Sequence, residues 1–128
     1  AYNAVHGPYD YLESDVPDWD VAPDRIPHVA MITAVDRGVG KIVNKLKKWG
    51  IYDCTMIVFT NDNGGHANGA VNLPLRDFKG KLWEGGIRVP MSFTWPGVIK
   101  PGQVSDRIAS LIDIYPTIEA AAGIAEAD

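Results

Sequence analysis

The sequence predicts an α/β fold in which sheet strands are flanked by helices. Three observations carry this expectation. Apolar residues recur at helical spacing from about His28 to Trp49. A continuous β-branched and aromatic run, Thr55-Met56-Ile57-Val58-Phe59-Thr60, follows after a short turn. The run has no polar alternation, the pattern of a strand covered on both faces, and helix, turn and buried strand make half of an α/β unit. Finally, 128 residues with 46% hydrophobic and 22% charged side chains fit one globular domain and argue against disorder over most of the length.

The opening residues, Ala1 to Tyr9, suit a strand end running into a turn. Residues 10–27 hold Pro17, Pro23 and Pro27, and six acids (Asp10, Glu13, Asp15, Asp18, Asp20, Asp24) against Arg25. Such irregular backbone is long for a compact domain unless it is functional or covers a surface. Six acids against one arginine make −5 of a total of −4, leaving +1 elsewhere. The acidic stretch reads as a solvated loop, and the balance argues against a nucleic-acid partner, which needs a basic face.

In the helix, Ile32, Val35, Val39, Ile42, Leu46 and Trp49 form one apolar stripe. Lys41, Lys45, Lys47 and Lys48 suit the C-terminal end of the dipole and a solvated face, and Gly50 suits the C′ position. Gly38 and Gly40 cost about 1 kcal/mol each relative to alanine, and close packing against a neighbour would be one reason to keep them. Cys54 is the only cysteine, which excludes an internal disulfide and a Cys-rich metal site. Beside an apolar strand it is expected to be a buried, inert thiol.

Beyond the strand, Asn61 to Gly69 is polar and turn-rich, at the strand end where open α/β sheets place ligands. Residues 70–87 read as a second long loop. Arg88 to Trp95 reads as another buried strand, with Pro90 near its start and Pro96-Gly97 closing it. After a turn at Pro101-Gly102, Asp113 is expected to cap a helix over 113–122, with Pro116 in its first turn and Gly123 ending it. No apolar run reaches the roughly 18 residues of a membrane span, so no membrane partner is expected. No signal-peptide pattern opens the chain at Ala1, and the compartment stays open.

Three local features could carry chemistry. Asp62-Asn63 offers a carboxylate and an amide oxygen side by side, hard ligands suited to Ca²⁺ or Mg²⁺, although a plain Asn/Asp/Gly turn has the same composition. Arg76, Lys79, Lys81 and Arg88, with only Asp77 and Glu84 among them, could form an oxyanion pocket or a solvated loop. His6, in Asn3-Ala4-Val5-His6, is a lone histidine, as are His28 and His66. Three scattered histidines and one cysteine assemble no zinc set.

Phe59-Thr60-Asn61-Asp62-Asn63-Gly64-Gly65 resembles F-T-S-D-N-G-G of the type I sulfatases. Pro74-Leu75-Arg76-Asp77-Phe78-Lys79-Gly80-Lys81-Leu82-Trp83-Glu84-Gly85-Gly86-Ile87-Arg88-Val89-Pro90 is similar to their P-L-R-x-x-K-G-x-L-x-E-G-G-I-R-V-P block. Thr33 to Gly40 resembles their preceding helix, and Trp95-Pro96-Gly97 and Asp113-Ile114-Tyr115-Pro116-Thr117 match W-P-G and D-x-x-P-T. The resemblance covers nearly the whole chain in order. It implies a fragment of an alkaline-phosphatase-like sheet flanked by helices. It also implies that Asp62 and Asn63 are calcium ligands, that Lys79 contacts the sulfate group, and that His6 holds the sulfate and protonates the leaving oxygen.

The departures shape the expectation. The family nucleophile is a formylglycine made from the cysteine of C-x-P-x-R, whereas Cys54 is followed by Thr55-Met56-Ile57-Val58. The family's N-terminal Asp-Asp metal pair is absent, and Asp77-Phe78 replaces the small residues often found before the lysine. Residues 1–128 are therefore expected to be one partial domain, the C-terminal half of a catalytic domain, without the nucleophile half or the small C-terminal subdomain. The parent would hydrolyse sulfate esters of a small molecule or glycan, and the chain alone is expected to be inactive. Two other classes stay open: a phosphoesterase or phosphonate hydrolase of the same superfamily, and a non-catalytic module that assembles with a missing half. Orphaned strands would favour self-association through an exposed sheet surface.

Overall fold

The computed structural model describes residues 25–124. Its elements are helix α1 (Ile26–Lys48), a 3₁₀ turn (Tyr52–Cys54), strand β1 (Ile57–Thr60), short helix α2 (Glu84–Ile87), strand β2 (Met91–Thr94), a 3₁₀ turn (Leu111–Asp113) and helix α3 (Ile114–Ala121). The α/β expectation holds, and the helix and strands fall where the patterning places them. The ends differ. α1 begins two residues early because Pro27 sits at its N-terminus, where a missing N–H costs nothing. Both strands are shorter than expected.

α1 ends as Gly50 allows. With φ +70°, Gly50 donates to the Lys47 carbonyl (3.1 Å) and Ile51 donates to that of Leu46 (3.1 Å), closing a Schellman motif. The basic last turn does more than complement the dipole: Lys45 Nζ lies 4.7 Å from the Trp49 ring and Lys47 Nζ 4.9 Å from that of Tyr52. At the other end, Asp113 does not cap α3 from its own side chain. Its carboxylate accepts from Ser110 N–H (2.7 Å), in a capping box around the preceding 3₁₀ turn.

β1 and β2 pair antiparallel, Ile57 opposite Thr94 and Thr60 opposite Met91. Residues 61–90 are therefore one excursion that leaves and returns at the same end of the hairpin. Ile57, Phe59, Ser92 and Thr94 face α1 across a cleft of about 390 Å³ that Ile32, Val35, Val39, Val43 and Tyr52 line from the other side. Met91 and Phe93 face a second cleft with Trp95, Val98, Ile99, Ile114 and Thr117. Trp95-Pro96-Gly97-Val98 is a turn with Gly97 at φ +81° and Val98 N–H on the Trp95 carbonyl (3.1 Å).

Two expectations about burial are corrected, and the reason offered for Gly38 and Gly40 is not met. The strands are half-buried to exposed, Phe59 being 40% exposed, because the helices line open clefts rather than closing on the sheet. A Cβ at Gly38 or Gly40 would meet nothing within 4 Å, so no close neighbour explains those glycines among the described residues. Cys54 is exposed: the 3₁₀ turn holds it off the strand, with its thiol donating to the Ile51 carbonyl (3.2 Å). Ala30 is the one buried hydrophobic side chain among the described residues.

Candidate active site

The tightest packing in the described chain is backbone against backbone, within the 61–90 excursion. Gly64, Gly85 and Gly86 are buried. A Cβ at Gly64 would run into the Gly85 carbonyl oxygen and stand 3.0 Å from Gly86 Cα. A Cβ at Gly85 would run into the Arg76 and Asp77 carbonyls, and one at Gly86 into those of Lys81 and Phe78. None of the three has a positive φ, so glycine is required here for space and not for conformation.

Main-chain bonds lock this contact. Gly64 N–H donates to the Gly86 carbonyl (2.9 Å), Gly85 N–H to Arg76 (2.8 Å) and Lys79 N–H to Gly65 (3.0 Å). Asn72 braces the same junction from its side chain, whose amide nitrogen donates to the carbonyls of Gly65 (3.1 Å) and Asp77 (3.0 Å). The short helix α2 is an element that sequence reading missed, since two of its four residues are the poor helix former glycine. Its glycines let the 76–83 loop wrap it, and Glu84 and Arg88 pair across it (3.4 Å).

This frame brings Asp62-Asn63 and Lys79 into one loop cluster at the end of β1. Asp62 and Lys79 are exposed and Asn63 is half-buried. Asn63 uses its amide nitrogen on the Gly64 carbonyl (3.0 Å), which leaves its amide oxygen as an acceptor. Asp62 and Asn63 thus offer two hard oxygen donors, of the type calcium takes, out of the usual six to eight. Among the described residues no three His, Cys, Asp or Glu side chains gather as a fuller metal set. The donor chemistry is of the kind calcium takes, and two such residues alone do not complete a calcium site.

Other candidates fall outside this cluster. His6 lies outside the described residues. His66 serves its own turn, its Nδ1 accepting from Asn68 N–H (3.1 Å) and its carbonyl from Ala70 N–H (3.2 Å). His28 sits on the first turns of α1, 3.5 Å from where a Gly69 Cβ would be. Cys54 is at the opposite end of β1 from Asp62, and a four-residue strand alone spans about 13 Å.

Asp77 has φ +68°, the one non-glycine residue with a positive φ among those described. Aspartate tolerates the left-handed region better than most residues. Its carboxylate lies 3.8 Å from Arg76 Nε. The Arg76 guanidinium stacks on Trp83, 3.8 Å from the ring centroid.

Comparison with known proteins gives this geometry a context. The family model described as Sulfatase matches residues 1–124. A sulfatase of Formosa agariphila is 40% identical over 105 residues, covering 75% of this chain and 19% of that protein. The uncharacterized sulfatase YdeN of Escherichia coli is 36% identical over 140 residues, covering 97% and 23%. Human arylsulfatase H is 43% identical over 96 residues, covering 68% and 17%. The crystal structure of Ps i-CgsB in complex with k-i-k-neocarrahexaose superposes with a TM-score of 0.85 at 44% identity, over 97% of this chain and 28% of that one. The chain spans about a fifth of the length of the curated relatives it matches.

Proposed function

The chain belongs to the sulfatase family, and on that premise we propose that it supplies the cation side of a sulfate-ester hydrolysis site acting on a sulfated glycan. Lys79 holds the sulfate group as a point charge, and Asp62 and Asn63 contribute oxygens to a calcium ion. His6, from the resemblance of its Asn-Ala-Val-His motif, is the residue that protonates the leaving alcohol oxygen. Calcium, when bound, would neutralise charge on the sulfate oxygens.

The observation that carries the reading is the main-chain bond from Lys79 N–H to Gly65, with the Asn72 brace beside it. It holds the lysine's loop against the loop of Asp62 and Asn63. An anion between the two loops meets a cation whose main chain is already placed, which lowers part of the ordering cost of stabilising an oxyanion electrostatically. A glycan substrate is supported by the carrahexaose bound to the similar structure. The nucleophile must lie in sequence that carries C-x-P-x-R, because Cys54 has neither the motif nor the position.

Titration of the chain with sodium sulfate, with and without calcium, followed by amide NMR, tests the reading. Shifts should concentrate at residues 61–65 and 78–81 and vanish in Lys79→Ala. Equal shifts with sodium chloride, or none in either segment, would refute it.

A further inference from the structure

Five of the eight residues from Arg76 to Trp83 are cationic or aromatic: Arg76, Phe78, Lys79, Lys81 and Trp83. Lys79 is accounted for by the sulfate reading; Arg76 and Trp83 are not. Both are held by their backbones, the Arg76 carbonyl by Gly85 N–H (2.8 Å) and the Trp83 carbonyl by Gly86 N–H (2.8 Å). Their side chains point to solvent together. Arg76 is 68% exposed and Trp83 50% exposed, with the guanidinium 3.8 Å from the ring centroid.

An exposed cation–π pair contributes little to folding. What the stack does is orient the guanidinium plane, so that its terminal N–H groups face outward as a fork. The Asp77 carboxylate is at 3.8 Å from Nε, outside hydrogen-bond range, and the terminal N–H groups make no hydrogen bond to another described residue. A planar, oriented fork of unused donors matches two oxygens of a tetrahedral anion.

We propose that Arg76, oriented by Trp83, is a second anion subsite that takes a further sulfate of the same glycan, beside the sulfate held by Lys79. The inference rests on the reading of Lys79 and narrows the substrate class to glycans with at least two sulfates. Arg76 contacts the substrate and Trp83 is a positioning residue, with its exposed ring surface offering apolar area to a sugar ring. The Asp77 carboxylate lies on the Nε side, 3.8 Å away, and leaves the terminal N–H edge open.

Binding of a sulfated carrageenan hexasaccharide, its chemically desulfated counterpart and sodium sulfate is measured on the chain by calorimetry and amide NMR. Arg76→Ala and Arg76→Lys should each weaken hexasaccharide binding at least tenfold, the lysine variant keeping the charge but losing the fork. Trp83→Ala should weaken it and Trp83→Phe should restore part of the loss. Sodium sulfate shifts at Lys79 should persist in all four. Because Arg76→Lys keeps the stem and charge, it preserves the test if Arg76→Ala fails to fold. Wild-type affinity in Arg76→Lys, or equal affinity for the desulfated hexasaccharide, would overturn the subsite. Absence of sulfate shifts at Lys79 in the wild type, with the Arg76 effect retained, would refute the Lys79 reading and with it the two-sulfate assignment, leaving Arg76 as a single anion contact.

Discussion

Replacing Gly64 by alanine should collapse the junction that positions the candidate site. A Cβ there would overlap the Gly85 carbonyl oxygen and lie 2.7 Å from the Gly85 carbonyl carbon. Both are backbone atoms of a wrapped helix and cannot swing aside as a side chain end would. The 61–65 segment must retreat, which stretches the Gly64–Gly86 hydrogen bond of 2.9 Å. Overpacking of this kind costs about 1–3 kcal/mol and a lost hydrogen bond about 1 kcal/mol, giving about 3 kcal/mol in total. At roughly 4 °C per kcal/mol for a chain of this size, the melting temperature should fall by about 12 °C. Gly38→Ala is the control of opposite sign: its Cβ meets nothing within 4 Å, and helix propensity alone should stabilise by about 1 kcal/mol. Far-UV dichroism at low micromolar concentration reads both, and hydrogen exchange at the Lys79 amide reads the junction directly. A Gly64→Ala chain that melts with the wild type and protects that amide equally would refute the close backbone contact.

The other expectations concern the chain as a whole. Purified chain should not hydrolyse aryl sulfates above background, even with calcium, because no C-x-P-x-R nucleophile is present; turnover that survives repurification and disappears in Lys79→Ala would overturn this. Calcium should bind weakly, since Asp62 and Asn63 supply two donors of six to eight. A micromolar calorimetric site that persists in Asp62→Ala would mean the ligands are misplaced. The chain should associate through its apolar clefts, where Ile32 (57% exposed), Val35 (54%) and Phe59 (40%) meet solvent; a monomer that unfolds cooperatively at high concentration in sedimentation would contradict it.

The helix of 26–48 and both strands were legible because each depends on local patterning: a 3-4 stripe, a β-branched run, and proline or glycine at the ends. What covers them was not. The unbroken run Thr55 to Thr60 reads as a strand sealed on both sides, yet composition cannot say how closely a helix approaches, and α1 faces β1 across an open cleft. The stripe is also rotated slightly from the expected one. Val43 lines the cleft, while Ile42 and Trp49 are each 60% exposed. Helix α2 escaped notice because contacts distant in sequence stabilise it against its own glycines. Cys54 departs from the expectation because a 3₁₀ turn, with Cys54 N–H on the Ile51 carbonyl (3.3 Å), takes it off the strand.

The excursion from Asn61 to Pro90 divides its labour between two kinds of residue. Gly64, Gly85, Gly86 and Asn72 are buried or half-buried, and each is held by contacts that a larger or non-donating side chain would break. Asp62 and Lys79 are exposed, and Lys79 forms no ion pair with another described residue. A solvated lysine of that kind adds almost nothing to folding. Its main chain is nevertheless fixed to Gly65, so the fold sets where the side chain starts without using its charge. Packing therefore accounts for the glycines and not for the lysine, and the proposed sulfate contact is what would give its side chain a use. Asp77 fits the same division: the turn before Lys79 takes a left-handed residue at φ +68°, a conformation that aspartate tolerates better than most side chains.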